Sequence, residues 1–398
     1  MKILLVHNKY QQPGGEDVVF EQERNLLENA GHRIATYCRN NSEIDDSSLV
    51  KRLQLAKNTV ASAQSRGEIL QLLGKEKFDV VHVHNTFMVI SPTIYSACQR
   101  AGVLVVQTLH NYRLLCPAAN FYRQGHTCEE CPEHGVWRGV KHACYRDSRA
   151  ATATVALMLM VHRSRHTWTE AVDSYVALSK FARRKFIDGG FPADRICVKP
   201  NFVQPDPGQR SNGGGNYAVY VGRLSAEKGP ATLLAAWKLL GNRVPLVIVG
   251  DGPMYADLEK QAREHGLTSI SFRGRLPRAE AQAVMRGARV LILPSECYEN
   301  FPMGMAESFA CGVPVICSRL GALEELVDDG RTGLHFTAGS SEDLAAKVNW
   351  AWANPERMRE MGNQARREYE NRYTAEKNYP LLMDVYSRAI AHQREAHV

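Results

Sequence analysis

The stretch from residue 290 to residue 317, VLILPSECYENFPMGMAESFACGVPVIC, decides the fold of this chain. It opens with the apolar run Val290–Leu293 and closes with a second apolar run at residues 313–317. Apolar runs of about five residues are typical of strands that are buried on both faces of a parallel sheet. With a helix that begins near Pro302, the stretch predicts a strand, a helix and a second parallel strand.

The same alternation continues along the chain. Further short runs rich in Val, Ile and Leu are predicted as strands at residues 3–7, 33–38, 80–84, 103–108, 175–179, 217–221 and 245–250. Helical patterns lie between these runs, for example at residues 17–30. Strands that alternate with helices predict a doubly wound α/β architecture, in which ligands bind at the carboxyl ends of the strands.

Composition and charge limit the class of protein. The chain has 398 residues, of which 44% are hydrophobic and 23% charged, and these values exclude a disordered or fibrous chain. The net charge of +7 favours an anionic substrate or a negatively charged membrane surface over nucleic acid. No apolar stretch approaches the roughly 18 residues of a membrane-spanning helix. Ten cysteines behind a start that lacks a signal-peptide pattern predict a cytoplasmic location.

A segment rich in Pro, Gly, Asn and Ser, PNFVQPDPGQRSNGGGN, occupies residues 200–216. Such composition is typical of a linker between domains. We therefore predict two domains, at residues 1–203 and 204–373, each the size of one Rossmann-like unit. A last helical segment is predicted at residues 374–398.

Two loops that follow predicted strands can approach an anion. In the first, at residues 11–17, Gly14 and Gly15 bring the backbone close to a bound group at the start of a helix, although Pro-Gly-Gly is also an ordinary turn. In the second, Arg223 and Lys228 could neutralise a departing diphosphate without a metal, or could be solvated charges. The sequence holds no Asp-x-Asp pair, which argues against a metal-bridged diphosphate.

A third loop, which follows the strand at Leu293, carries two acids. Glu299 and Glu307 could face one ligand that lies along the helix start, because a carboxylate accepts hydrogen bonds from sugar and ribose hydroxyls. The alternative is that Glu307 only compensates the helix dipole and that Glu299 is exposed.

These loops, in this order, resemble glycosyltransferase family 4, a family of retaining, metal-independent nucleotide-sugar transferases with the GT-B fold. The similar segments are Gly14-Gly15, ALSKFARRKFIDGGFPADRICVKPNFV at 177–203, YVGRLSAEKG at 220–229, VIVGDGPMYADLE at 247–259 and PSECYENFPMGMAESFACGVPVI at 294–316, which carries the Glu-x7-Glu motif. The resemblance implies two Rossmann-like domains that face each other across a cleft. The first would bind the acceptor and the second the donor, and the last helix would cross back to the first domain.

The resemblance also implies the roles of the donor residues. Arg223 and Lys228 would hold the phosphates of a UDP- or GDP-linked hexose. Glu299 would contact the hydroxyls of the transferred sugar, and Glu307 those of the ribose. The acceptor would be a glycan or a lipid-linked sugar in polysaccharide biosynthesis.

Further roles follow from the same resemblance. Backbone N–H groups of Asn300 and Phe301 would help to hold the sugar, and Gly15 would lie against the diphosphate. His110 matches a histidine beside the transferred sugar, although a histidine at the end of a strand is often only structural. Pro302-Met303 stands where many relatives have Gly-Leu, so the resemblance does not extend to the identity of the sugar.

Four cysteines lie close together in the sequence and predict a metal site. They are Cys116, Cys128, Cys131 and Cys144, and His126, His134 and His142 could substitute as ligands. Two thiolates in Cys-x-x-Cys spacing can share one ion, and two distant thiolates complete a zinc tetrahedron. Thiols without metal, a disulfide pair and an iron–sulfur cluster are the alternatives to this structural zinc.

The segment RDSRAATATVALMLMVHRSRH, at residues 146–166, has an apolar centre and basic flanks. It fits either a helix buried in the first domain, which we favour because the centre is short, or an interfacial helix in peripheral contact with the inner face of the membrane.

Other functions compete with sugar transfer. An epimerase or phosphorylase can share the architecture, but no pyridoxal-binding lysine stands out. A dinucleotide-dependent oxidoreductase is suggested by Gly250 and Gly252, but Pro253 interrupts the glycine pattern. A non-catalytic nucleotide-binding or assembly protein is the fourth candidate.

Overall fold

The computed structural model describes residues 1–12, 14–210 and 215–396. Pro13 of the predicted glycine loop, residues 211–214 of the predicted linker and residues 397–398 of the predicted last segment lie outside the described residues.

The chain forms two compact units. Unit 1 comprises Met1–Phe121, Cys128–Pro200 and Asn378–Val398, and unit 2 comprises Tyr122–Thr127 and Asn201–Lys377. Unit 1 is therefore discontinuous in sequence. The functional domains at residues 1–203, 204–373 and 374–398 remain predictions from the sequence.

The bounds of the regular elements are as follows. The strands are Lys2–Lys9 (β1), Arg33–Asn40 (β2), Val80–Asn85 (β3), Leu104–Leu109 (β4), Tyr122–Arg123 (β5), His126–Thr127 (β6), Ser174–Ala177 (β7), Ile196–Val198 (β8), Ala218–Val221 (β9), Leu246–Val249 (β10), Ile270–Phe272 (β11), Val290–Leu293 (β12), Val315–Ser318 (β13) and Gly333–Phe336 (β14). The helices are Gly15–Asn29 (α1), Leu49–Val60 (α2), Ala63–Lys75 (α3), Thr93–Arg100 (α4), Glu130–His134 (α5), Trp137–Lys141 (α6), Arg149–Ser164 (α7), Thr167–Glu170 (α8), Lys180–Asp188 (α9), Pro230–Leu240 (α10), Tyr255–Glu264 (α11), Arg278–Arg286 (α12), Met303–Ala310 (α13), Ala322–Leu326 (α14), Ser341–Ala353 (α15), Pro355–Arg372 (α16) and Ala375–Ala396 (α17). Short 3-10 helices lie at Asn41–Glu43, Ala193–Arg195, Ala226–Lys228 and Gly241–Arg243.

Unit 1 contains a six-stranded sheet in the order β2-β1-β3-β4-β7-β8, and all of its pairs are parallel. Every residue of β3 and of β4 is buried, as expected for strands covered on both faces. The chain order of the strands reverses between β1 and β3. In open α/β sheets, ligands bind outside the carboxyl ends of the strands at such a reversal.

Unit 2 contains a second six-stranded parallel sheet, in the order β11-β10-β9-β12-β13-β14. In the unit's own numbering this order is 3-2-1-4-5-6, which is that of a Rossmann fold. Its apolar core is built on the strand faces and on helices such as α10 and α15, and the Trp237 side chain is fully buried in it. The reversal here lies between β9 and β12. The expected α/β fold with two Rossmann-like units is thus confirmed.

The segment at residues 146–166 forms α7, which packs with one face and exposes the other. Val155, Met158 and Leu159 are buried, whereas Leu157 and Met160 are exposed. In the part of the chain that the structure describes, no helix has both the length and the apolar character needed to span a membrane.

Candidate active site

The loops after β9 and β12 flank the strand reversal of unit 2, and backbone contacts hold them together. The N–H of Glu296 donates to the carbonyl of Glu227 at 2.9 Å. Gly229 has a φ of +65°, and a Cβ added there would lie 1.9 Å from the carbonyl oxygen of Pro294. Only glycine allows the two loops to approach this closely, and the approach fixes the position of Lys228.

Lys228 and Glu299 form an ion pair across these loops. The Nζ of Lys228 donates to Oε1 of Glu299 at 2.7 Å, and the Ser295 hydroxyl donates to the same oxygen at 2.6 Å. Burial alone would lower the pKa of Lys228, but Glu299 outweighs burial and raises the pKa above its usual value. Burial would raise the pKa of Glu299, but Lys228 lowers it overall. The site therefore holds a charged ammonium and a charged carboxylate together.

Glu307 lies in the second turn of α13, which begins at Met303. Its Oε1 accepts from Nε of Arg278 at 2.7 Å and from the amide of Gln282 at 3.1 Å. Arg278 opens α12 and was not predicted from the sequence, because a spacing of 29 residues from Glu307 carries no motif. The carboxylate is thus oriented by two donors on one helix.

The remaining predicted donor residues are placed differently. The Arg223 side chain is exposed, and among the described residues no hydrogen bond or ion pair joins it to Lys228 or Glu299. Asn300 and Phe301 are buried, and the Phe301 ring packs edge-on against Tyr373 with centroids 5.5 Å apart. The structure therefore brings together Lys228 and Glu299 and leaves Arg223 in solvent.

In unit 1, Gly14 and Gly15 lie at the beginning of α1. Gly14 is the N-cap residue, and its N–H donates to Oδ2 of Asp17 at 2.7 Å. Asp17 also contacts Nε2 of His7, at the end of β1, at 2.9 Å. The predicted glycine loop therefore leads into a helix N-terminus, where unpaired N–H groups and the helix dipole favour an anion.

His110 follows β4 directly and is partly exposed. Its Nε2 lies 3.0 Å from Nδ1 of the buried His84, and the two rings stack with centroids 5.1 Å apart. Behind His84 lie Glu23, His82 and Lys199, all buried. These side chains were not predicted from the sequence, although two histidines at alternate positions of the apolar strand VVHVHN indicate a polar face of β3.

The four cysteines form no disulfide. Cys116 and Cys131 are buried, and burial raises the pKa of both thiols, to about 12 for Cys131. A zinc ion about 2.3 Å from each sulfur would hold the sulfurs about 3.8 Å apart. Among the described residues, however, Glu23, His82 and His84 form the only group of three or more metal-ligating side chains with ligand atoms all within 4.8 Å. No three of these four sulfurs therefore lie within 4.8 Å of one another in the described part of the chain.

Comparison with known proteins decides the family. Residues 13–207 match the family described as Glycosyltransferase Family 4, and residues 206–368 match the family described as Glycosyl transferases group 1. A glycogen synthase from Mycobacterium tuberculosis is 31% identical over 326 residues, which cover 80% of this chain and 70% of that protein. The chain belongs to glycosyltransferase family 4. The resemblance stated from the sequence motifs is confirmed at this level.

Other similar proteins match this family 4 glycosyltransferase over shorter regions. The D-rhamnosyltransferase WbpZ from Pseudomonas aeruginosa is 31% identical over 164 residues, which cover 41% of this chain and 42% of that protein. The chain spans about half the length, or less, of the first curated relatives it matches.

A solved structure extends the likeness to the whole fold. HepE from Anabaena, crystallised with UDP, has a TM-score of 0.69 and 18% sequence identity, and the match covers 97% of this chain and 100% of HepE. At this identity the likeness shows the GT-B fold alone.

Proposed function

We propose that this family 4 glycosyltransferase moves a hexose-type sugar from a nucleotide diphosphate donor to a glycan or lipid-linked acceptor in polysaccharide biosynthesis. One observation carries the proposal: the Lys228–Glu299 ion pair, 2.7 Å long, lies on the loops that flank the strand reversal of unit 2. That edge of a Rossmann-type sheet is where nucleotides bind. A fixed cation beside a fixed carboxylate suits a phosphate and a sugar hydroxyl, respectively.

Stabilisation of the leaving group is the main chemical task. When the bond between sugar and phosphate breaks, negative charge grows on the β-phosphate, and Lys228 would meet that charge. The exposed side chain of Arg223 would turn toward the same phosphate. In unit 1, the loop at Gly14 and Gly15 would lie against the diphosphate with the backbone N–H of Gly15, since the Gly14 N–H already donates to Asp17. One preorganised donor of this kind contributes about 3 kcal/mol to the lowering of the barrier.

Carboxylates would bind the rest of the donor. Glu299 would accept hydrogen bonds from the transferred sugar, assisted by the backbone of Asn300 and Phe301, and Glu307 would accept them from the ribose. Because Arg278 and Lys228 already hold these carboxylates in place, little reordering is needed on binding.

We propose retention at the anomeric carbon without a catalytic metal. The acceptor hydroxyl would attack from the face that the diphosphate leaves, and the departing phosphate oxygen would take its proton. No carboxylate is assigned as a nucleophile. Activity that persists in EDTA and a product with the donor's anomeric configuration, read by NMR, would support both statements.

UDP- and GDP-linked sugars are the donors to test first. HepE was solved with UDP and with UDP-glucose. Nucleotides should be screened by calorimetry, and the sugars that bind should then be tested for donor hydrolysis and transfer.

The decisive variants are Lys228→Ala and Arg223→Ala. Each is expected to lower kcat by about 100- to 1000-fold with little change in acceptor KM, because each removes charge from the departing phosphate. Lys238→Ala, an exposed lysine on α10, is the matched control and keeps full activity. Unchanged turnover in both site variants contradicts the proposed role of Lys228 and Arg223 at the departing phosphate. Nucleotide-sugar binding without any transfer favours a binding or epimerase function.

A membrane surface is the partner we propose for unit 1, with the protein in the cytoplasm. Helix α2 begins with apolar side chains that project into water: Leu49, Val50 and Leu53 are 73%, 76% and 63% exposed. Arg52 and Lys57, on the same helix, are exposed as well. Apolar side chains with basic neighbours on a surface helix fit an anionic lipid surface, where a lipid-linked acceptor would reside.

Vesicle sedimentation tests this contact. The protein is expected to sediment with vesicles of anionic phospholipid and not with neutral ones, and the triple variant Leu49→Ser, Val50→Ser, Leu53→Ser should lose the binding. Leu239→Ser, at an apolar side chain of unit 2 that is 55% exposed, is the control. Self-association of the wild type, abolished by the triple change, would instead show that a second copy covers α2.

The structural zinc at Cys116, Cys128, Cys131 and Cys144 stays a prediction from spacing alone. Binding of zinc by all four thiolates would require residues 116–144 to bring the four sulfurs closer together. One zinc per chain in purified protein, lost in Cys128→Ser, would support it, and metal-free protein of full stability would contradict it.

A further inference from the structure

Unit 1 holds a row of buried polar side chains that the proposed chemistry does not use. The row runs from Lys199 through Glu23 to His84 and ends at the partly exposed His110. Glu23 and His84 are 0% and 3% exposed. Burying polar and charged side chains costs free energy unless they pair with one another, so we asked what function this row of side chains serves.

Lys199 fixes the charge of the row. Its Nζ lies 2.9 Å from Oε2 of Glu23 and 3.0 Å from Oδ1 of Asn378. The other carboxylate oxygen, Oε1, faces two imidazoles: it lies 3.1 Å from Nδ1 of His82 and 3.4 Å from Nε2 of His84. The Lys199 ammonium also disfavours a metal cation bound by Glu23, His82 and His84. The two positive charges would then lie at short range from each other.

The carboxylate decides which nitrogen of His84 carries the proton. A neutral imidazole has one N–H and one lone pair. If Nε2 of His84 lacked the proton, two lone pairs would face each other 3.4 Å apart in a buried place. Nε2 therefore carries the proton toward Glu23, and Nδ1 keeps the lone pair. The partner of that lone pair, 3.0 Å away, is Nε2 of His110, which must then be the donor.

We infer that Glu23 and His84 are positioning residues that hold His110 in the tautomer protonated on Nε2, so that Nδ1 of His110 accepts a hydrogen bond from a hydroxyl of the transferred sugar. The second half of this statement rests on the proposed function. The first half concerns unit 1 alone.

The surroundings keep both rings neutral, as this arrangement requires. Burial lowers the pKa of His84 to about 4, with Glu23 opposing the effect and His82 and His7 adding to it. Burial, with His84 next, also lowers the pKa of His110 well below its usual value. Glu23 stays ionised, since Lys199 and His82 together outweigh its burial. A neutral His110 with a fixed lone pair binds a hydroxyl and carries no charge that would repel the oxocarbenium-like sugar.

Nitrogen NMR tests the tautomer directly. Histidine is labelled with ¹⁵N, and the His110 signals are assigned by their loss in His110→Asn. We expect a protonated Nε2 and a pyridine-type Nδ1 on His110, and a shift toward the other tautomer in His84→Leu. A wild-type His110 protonated on Nδ1 overturns the inference, whether or not the protein transfers sugar.

Kinetics test the consequence for the sugar. His84→Leu is expected to lower kcat about 10- to 100-fold, the usual scale for a group that orients a functional one. In a His110→Ala background the same change should cost nothing further, because the two act as a unit. Additive losses overturn the inference.

The variant His162→Leu serves as a control, because it removes a buried histidine that does not contact His110. His162 is 2% exposed, and its ring contacts the carbonyl of Val60 and the hydroxyl of Thr167. His162→Leu should leave kcat within about twofold and the His110 tautomer unchanged. If no donor is turned over by any variant, the proposed function fails, and the tautomer alone decides the role of Glu23 and His84.

Discussion

At the scale of single residues, unit 1 depends on an ion pair that water does not reach. Glu23 and Lys199 are both about 1% exposed or less, and their atoms lie 2.9 Å apart although the residues are 176 positions apart in the chain. Removing one partner of such a pair costs about 3–5 kcal/mol, whereas replacing both with apolar residues is often neutral. The pair is therefore better explained by what it orients than by what it adds to stability.

His84 makes stability depend on pH. Its folded-state pKa of about 4 lies below the ordinary value of 6.5, so between these values the unfolded chain binds the additional proton. The free energy of unfolding must then fall as the pH drops through this window, by about 3 kcal/mol at pH 4. In His84→Gln this part of the pH dependence should vanish. Urea midpoints of both proteins at pH 7 and pH 4 measure the difference, and parallel profiles would contradict it.

The sequence identified some site residues and not their partners. Glu299, Glu307 and Lys228 lie within recognisable motifs. Arg278 and Ser295, which orient the two carboxylates, carry no signal of their own, because their roles arise from side-chain directions that only the folded loops define. Contacts between positions far apart in the chain are not encoded in local spacing.

At the scale of elements, the loop that ends at Gly229 is shaped by backbone contact rather than by side chains. Gly229 and Gly266 have nearly the same φ, +65° and +61°, but an added Cβ would meet the Pro294 carbonyl at the first and nothing within 4 Å at the second. Alanine at both positions carries the cost of a positive φ, and only alanine at Gly229 also carries the cost of a contact with the Pro294 carbonyl.

Gly229→Ala should destabilise unit 2 by about 1–3 kcal/mol more than Gly266→Ala, because only the first forces two loops apart. It should also weaken nucleotide binding, since Lys228 precedes Gly229 directly. Thermal unfolding and calorimetry of the two variants provide the measurements. Equal losses in both would mean that the loop contact is unimportant.

Most strands were predictable because they are buried on both faces and appear as apolar runs. Every predicted strand is present, with ends shifted by a few residues. The short strands β8, β11 and β14 were missed, since a run of three or four residues is too short to give a clear pattern, even in β14, where every residue is buried. The hairpin of β5 and β6 was missed for the same reason: each of its strands has only two residues.

At the scale of the whole molecule, each unit has its own sheet and its own strand reversal, so ligand effects can be followed in each separately. A UDP or GDP donor at 100 times its Kd would stabilise the state that binds it by about 2.7 kcal/mol. We expect the largest slowing of amide hydrogen exchange at residues 222–229 and 294–302. Lys228→Ala should abolish it, and protection confined to other segments would contradict the donor site.

The return of the chain to unit 1 after unit 2 has a consequence during synthesis. Asn378, which contacts Lys199, and the Tyr386 hydroxyl, 2.9 Å from His82, follow nearly two hundred residues after the rest of unit 1. At about 5–20 residues per second, the ribosome needs roughly 10 to 40 s to deliver them. During that interval the nascent sheet of unit 1 lacks α17, which packs against it in the folded protein. A chaperone that shields this sheet should therefore raise the yield more than one that acts on the finished chain.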